Sequence, residues 1–396
     1  MGMATRASNR RLLLLPLALA VVVAAGRSTA AAAPAAAAPA AASPFRTVYA
    51  FGDSFTDTGN THSTTGPYSF GYVSSPPYGA TFFHRSTNRY SDGRLVVDFL
   101  AEALKLPSFL PPYLGLSNTS AQEVGVNFAV AGATAIEHDF FARNNLSFDI
   151  TPQSIMTQLG WFDAHLRAAA GNKDDARKKV VGDALLWVGE IGANDYAYTV
   201  VARDTIPPKL VRDMAVQRVT TFVEGLLQRG AKYLIVQGLP LTGCLSMAMT
   251  LARAEDRDNV SCVASVNQQS YAHNRRLLAA LHQLRQKHPD AVIAYADYYA
   301  AHLAVMRSPA RYGFTEPFRT CCGSGGGAYN FDLFATCGSP AVDTACAQPA
   351  KYINWDGVHM TEAMYKVVAG MFFQGGDAYC RPAFSDLLAR KAQGKP

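Results

Sequence analysis

The sequence predicts an α/β fold, a single three-layer domain whose mostly parallel central sheet of about five strands is flanked by helices. Two observations carry this expectation. Apolar, β-rich runs recur along the chain, and longer segments with apolar residues at every third or fourth position separate them. The runs lack the alternation of a half-exposed strand, so both faces of the sheet must be covered. Strand and helix in alternation imply right-handed crossovers and parallel pairing.

The first run, TVYAFG (Thr47–Gly52), breaks into Asp53 and Ser54. GRLVVDFLAEALKL, from Gly93, reads as an amphipathic helix, and VNFAVAG (Val126–Gly132) as the second strand. ALLWVGEIG (Ala184–Gly192) is the third strand, followed by a helix from Leu210 that stops at Gly230. KYLIVQGL (Lys232–Leu239) is the fourth. A helix from Val266 ends before Pro289, and AVIAYADYY (Ala291–Tyr299) is the fifth strand. The last helix opens at Thr361, whose hydroxyl suits an N-cap.

The composition bounds the function. With 396 residues, 49% hydrophobic and 17% charged, the chain is a folded protein long enough for a full core. No repeat or linker divides it. The net charge of +6 is mild, and no dense Lys/Arg cluster is interleaved with aromatics, so no nucleic-acid partner is expected. Arg177–Lys179 reads as a solvated helix end.

At the N-terminus, Arg6, Arg10 and Arg11 precede a short apolar core from Leu12 and then small residues. Residues 1–28 therefore read as a secretory signal peptide or signal anchor, and 29–45 as an Ala/Pro-rich leader or stem. The domain is expected over 46–385, with a C-terminal tail at 386–396. Membrane contact is expected only if the signal is an uncleaved anchor. Sequons at Asn118, Asn145 and Asn259 agree with a secretory route and predict surface loops. Seven cysteines lie in the C-terminal half, none in C-x-x-C spacing, so disulfides are expected and a metal site is not. One cysteine must be left over, and Cys244 with Cys262 is the first expected pair.

Three positions follow the carboxyl ends of the first three strands: Ser54, Gly132 and Asn194. Ligands of parallel sheets bind at that edge. Ser54 alone reads more readily as a turn residue than as a nucleophile. Serine catalysis also needs an imidazole, a carboxylate to hold it, and donors for an oxyanion. Of nine histidines, His273, His282 and His288 sit on or at the end of a basic helix, and His165 and His302 in other helical patterns. His62, His84 and His138 fall in loops. His359 differs, lying three residues after Asp356 in one short loop where Trp355 can shield both from water. The alternative there is a turn aspartate beside a helix-start histidine. Asp53 and Asp195 read as aspartates that bond loop backbone. GSGGGAYN, at Gly323, lacks the preceding strand and the Lys-Ser/Thr of a phosphate-binding loop, which excludes a nucleotide site there.

FGDSFTDTGN, NFAVAGA, GANDY and WDGVH resemble, in order and spacing, the four blocks of the plant GDSL esterase/lipase family within the SGNH hydrolase superfamily. NRYSDGRLVVDFLAE and CCGSGGGAYNFD are also similar to plant-family segments, so the resemblance spans roughly 46–385. It implies a flavodoxin-like SGNH hydrolase fold with no cofactor. It further implies Ser54 as nucleophile, His359 as general base and Asp356 as its orienting carboxylate, with the Ser54 amide, the Gly132 amide and the Asn194 side chain as oxyanion hole. Phe55 stands where the family's naming leucine would be, and Ala131 where many relatives carry glycine.

The expected activity is hydrolysis of carboxylic esters through an acyl-enzyme, in the cell wall or Golgi. O-acetyl or short-chain esters of a wall polysaccharide such as xylan are the first expectation, acyl lipids the second, and a catalytically inactive secreted binding protein the alternative of another class. Asn194→Ala is expected to lose about 100- to 1000-fold in turnover. The rate is expected to rise as His359 loses its proton between about pH 6 and 8.

Overall fold

In the computed structural model, β1 (Val48–Phe51) pairs in parallel with β2 (Gly125–Asn127) on one side and β3 (Leu185–Val188) on the other. The structure describes residues 43–65, 72–116, 124–146, 151–201 and 206–395. The expected signal segment, most of the stem and the Asn118 sequon lie outside the described residues. β4 (Tyr233–Gln237) and β5 (Val292–Ala296) extend the parallel sheet. A separate parallel ladder joins β6 (Glu316–Thr320) to β7 (Tyr352–Asn354). The main sheet gains a sixth, antiparallel strand, β8 (Cys380–Arg381), on β5. Two residues are too few to show as an apolar run, which is why about five strands were expected rather than six.

The order β2-β1-β3-β4-β5-β8 reverses direction between β1 and β3. A crevice opens at such a switch point, outside the carboxyl ends of the strands.

Alternate strand residues feed two cores. Val48, Ala50, Trp187 and Ile235 pack under Val96–Ala103, Tyr298–Arg307, Glu362–Gln374 and Phe384–Ala392. Tyr49, Phe51, Leu186, Val188 and Leu234 pack under Ile155–Ala170, Pro208–Gln228 and Ala264–Lys287. Both faces are covered, as the unbroken apolar runs require. Thr361 caps the last long helix, its hydroxyl accepting from the Met364 N–H at 3.2 Å.

The expected boundary at 385 falls inside a helix. Phe384–Ala392 buries Phe384 and Leu387 against the first core, so the fold continues past the point where a tail was expected. The segment FSDLLARKA carries Phe384, Leu387 and Leu388 at helical spacing, so its apolar face stands in the sequence as well as in the packing. Cys244–Cys262 is bonded as expected, alongside Cys321–Cys346 and Cys322–Cys337, and Cys380 is the buried free thiol. Asn145 and Asn259 are exposed. Among the described residues no helix is long and apolar enough to cross a membrane.

Candidate active site

Gly52 ends β1 at φ +142°, a conformation open to glycine. Gln158 clamps its peptide from a covering helix, accepting from the Gly52 N–H at 3.0 Å and donating to the Gly52 carbonyl at 2.7 Å. The chain then turns through Asp53 and Ser54, with the Thr56 and Asp57 N–H groups on the Asp53 carbonyl. The Asp57 carboxylate accepts from the N–H groups of Gly59, Asn60 and Thr61, from the Thr61 hydroxyl, and from the Ala131 N–H. Asn60 donates to the carbonyls of Asn127 and Ala129 at 2.8 Å each, and Asn127 donates to that of Thr56 at 2.6 Å. Together they rivet the loop carrying Ser54 to the loop carrying Gly132.

From β3, Asn194 reaches both loops. Its Nδ2 donates to Asp53 Oδ2 and to the Ala133 carbonyl, each at 3.0 Å. Asp195 accepts from the Ala135 and Ile136 N–H groups at 2.8 and 2.9 Å, the loop-bonding role its position suggested. Gly132 adopts φ +78°. The N–H groups of Ser54 and Gly132 meet no acceptor among the described residues. Both remain available to a ligand at this edge.

Asp356 and His359 lie together just past β7. His359 Nδ1 is 2.7 Å from Asp356 Oδ2, and Asp356 Oδ1 accepts from the N–H groups of Val358 and His359 at 3.0 and 2.7 Å. Tyr78 donates its hydroxyl to Asp356 Oδ2 at 2.8 Å. Burial works against the charge, but the His359 ring with its hydrogen bond and the two N–H donors outweigh it, holding the Asp356 carboxyl below the usual carboxylate range. Trp355 is fully buried beside Tyr78, ring centroids 6.0 Å apart.

The imidazole sits between the Phe55 ring at 5.5 Å and the Tyr90 ring at 4.7 Å. Ser54 thus stands between Asp53, held by Asn194, and Phe55, which packs on His359. Phe55 is buried against Tyr298 and Tyr365, so the departure from leucine adds an aromatic wall beneath the loop. The segment NRYSDGR braces the other side of the histidine loop. Ser91 donates to the Met360 carbonyl at 3.0 Å, Asp92 accepts from the Glu362 N–H at 2.7 Å, and Arg94 pairs with Glu362 at 2.6 Å.

Beneath this edge lie buried acids. Burial pushes the Asp53 carboxyl up to about 6 and that of Asp195 up to about 7. Burial also raises Asp57, and Glu190 well above the ordinary range. His273 and His302, whose helical positions suggested core roles, are buried and pushed down to about 3 by it. Tyr78, Gln158, Asp57, Asn60 and Glu190 escaped the sequence reading. Asp57 and Asn60 at least fall in FTDTGN, a polar stretch longer than a strand end needs.

Residues 48–371 match the model of GDSL-like lipase/acylhydrolase proteins. A GDSL esterase/lipase of Arabidopsis thaliana is 52% identical over 385 residues, which cover 96% of this chain and 97% of the relative. A second from the same plant is 38% identical over 354 residues, covering 87% of this chain and 88% of the relative. Matches of this identity across most of the chain leave one conclusion, that the chain belongs to the GDSL-like lipase/acylhydrolase family.

Proposed function

We propose that Ser54, His359 and Asp356 form the catalytic triad of this carboxylic ester hydrolase. The buried Asp356–His359 pair, packed on the residue next to Ser54, carries this reading. Ser54 Oγ attacks the ester carbonyl while His359 Nε2 takes its proton, since Nδ1 is committed to Asp356. His359 returns the proton to the leaving alcohol, and water then cleaves the acyl-enzyme. The unspent N–H groups of Ser54 and Gly132 receive the oxyanion. Asn194 joins them by sharing an N–H that now rests on a neutral carbonyl, a weaker acceptor than an oxyanion.

The first substrate reading is an O-acetyl or short-chain ester on a wall polysaccharide such as xylan. A cavity of about 290 Å³, mostly apolar and lined by Tyr72, Pro76, Gly338 and Pro340 with Ser75, Ser339 and Asp343, has room for a short acyl group beside a few polar partners for a sugar. Gly338 in its wall lies against Tyr78, the donor to Asp356. Three disulfides and the sequons support a secretory route. A specific observation favours acyl lipids as the second reading: Leu333 and Phe334 are 50% and 95% exposed on the segment whose Phe331 packs on Gly357.

The test compares acetylated xylan with long-chain acylglycerols, using wild type and Ser54→Ala. Deacetylation lost in Ser54→Ala supports the first reading, and preference for the acylglycerol the second. A wild-type protein that hydrolyses neither and never labels with a serine-directed phosphonate is a binding protein.

A further inference from the structure

Behind Ser54 two carboxyl groups lie together without a cation. Glu190 is 0% exposed and Asp53 1%, and neither forms an ion pair with Lys or Arg among the described residues. Both Glu190 oxygens are sealed from solvent with no hydrogen-bond donor, while its side chain lies within hydrogen-bonding reach of Asp53. The backbones that carry the two acids run close together. A Cβ on Gly52 would lie 3.2 Å from Gly189 Cα, and one on Gly189 would lie 2.9 Å from the Phe51 carbonyl oxygen, so the ends of β1 and β3 leave little room for side chains at these two positions.

Two ionised carboxylates cannot share such a site, and one must hold a proton. Asp53 is already committed as an acceptor, Oδ1 to the Phe55 N–H at 3.0 Å and Oδ2 to Asn194 Nδ2 at 3.0 Å. We propose that Glu190 is a neutral carboxylic acid whose O–H donates to Asp53, and that it acts as a positioning residue which, through Asp53, aims the Asn194 carboxamide and the Phe55 end of the Ser54 turn. The role in catalysis rests on the ester-hydrolase reading above.

The surroundings agree. Burial and the neighbouring Asp53 hold the Glu190 carboxyl well above the ordinary range, with Asp195 adding negative charge. Asp53 feels burial first, then the Glu190 hydrogen bond, the Phe55 N–H, the positive side of His359 and the negative side of Asp57. Tyr298 faces both acids and Tyr365 faces Asp53, each pushed up by burial and therefore neutral. Were Glu190 to ionise, the proton would have to move onto Asp53 or leave, and Asn194 would lose its anchor or face a doubled charge.

Glu190→Gln keeps a donor of the same shape, whereas Glu190→Ala removes it. Infrared difference spectra of wild type against Glu190→Gln at pH 8 should show a protonated carboxyl C=O stretch lost in the variant; its absence overturns the proposal whether or not the protein is an esterase. For turnover, Glu190→Gln should stay within about threefold of wild type at pH 7, while Glu190→Ala should lose about tenfold or more in kcat at nearly constant KM. The wild-type kcat should also fall at alkaline pH on a limb missing from Glu190→Gln. A purely structural Glu190 would shift the melting temperature of either variant without that limb. Equal kcat losses in both variants, or none in Glu190→Ala, overturn the positioning role.

Discussion

Tyr78 donates its hydroxyl to Asp356 Oδ2 at 2.8 Å, onto the same oxygen that holds His359 Nδ1 at 2.7 Å. With the two N–H groups on Oδ1, the carboxylate has four donors in a setting only 8% exposed. Burial and the Asp356 charge push the Tyr78 hydroxyl well up, so it stays a donor at any working pH. Tyr78→Phe should cost about 1.5–3 kcal/mol of stability, the usual worth of a hydrogen bond to a charged group. Turnover should fall roughly three- to tenfold as the imidazole loses its fixed aim. Thermal melting and steady-state kinetics read both, and wild-type values for both would show that the contact is idle.

The sequence displayed the groups proposed to react better than what holds them. Ser54, Gly132 and Asn194 each follow an apolar run, and Asp356 and His359 share one short loop, so spacing alone brings them into view. Tyr78 finds Asp356 278 residues away, and Gln158 finds Gly52 106 residues away; no local pattern encodes such a pairing. Glu190 was hidden differently. It sits in VGEIG, where a single acid at the end of a buried run reads as a strand end, and only its neighbour Asp53 makes it unusual. The helix Phe384–Ala392 differs again, since Phe384, Leu387 and Leu388 stand at helical spacing and its apolar face is legible in the sequence itself.

Gly357 turns the histidine loop at φ +94°, and a Cβ there would lie 2.2 Å from the Phe331 ring. Gly357→Ala therefore meets both a backbone penalty and an overlap, and should destabilise by roughly 1–3 kcal/mol. The loop must also shift, so kcat should drop more than KM rises. Adding Phe331→Ala relieves the overlap but not the positive φ. The double variant should recover part of the loss, and no recovery would mean the ring is not what constrains the turn.

Buried acids make stability depend on pH. Asp195 rises from 3.8 to about 7 on folding, so the folded chain binds its proton more tightly than the unfolded one. Its contribution is fully present below 3.8 and is lost as pH rises through about 7. Asp53 behaves alike up to about 6. Asp356 runs the other way, its contribution present above 3.8 and lost as pH falls through its lowered value. His273 and His302, depressed from 6.5 to about 3, likewise lose stability as pH falls. Asp195→Asn isolates one group. It should lower the melting temperature more at pH 4 than at pH 8, because only at low pH does wild type hold the favourable neutral acid. A drop that is equal at both pH values would contradict the raised affinity for the proton.

Two adjacent cysteines fasten the strand that leads into the histidine loop. The Cys321 N–H donates to the Asn354 carbonyl at 3.0 Å and the Cys322 N–H to that of Trp355 at 2.7 Å, immediately before Asp356. Cys321–Cys346 and Cys322–Cys337 then close the segment carrying Phe331, which packs on Gly357. Replacing Cys322 and Cys337 by Ser should therefore cost about 2–4 kcal/mol and lower kcat in the folded enzyme. Cys380→Ala is the control, since that thiol is buried, unbonded and pushed up to about 12 by burial. It should retain wild-type kcat. Thiol titration of the denatured, unreduced wild type should find one free group, and a folded Cys322→Ser/Cys337→Ser variant with full activity would show that this bridge does not support the His359 loop.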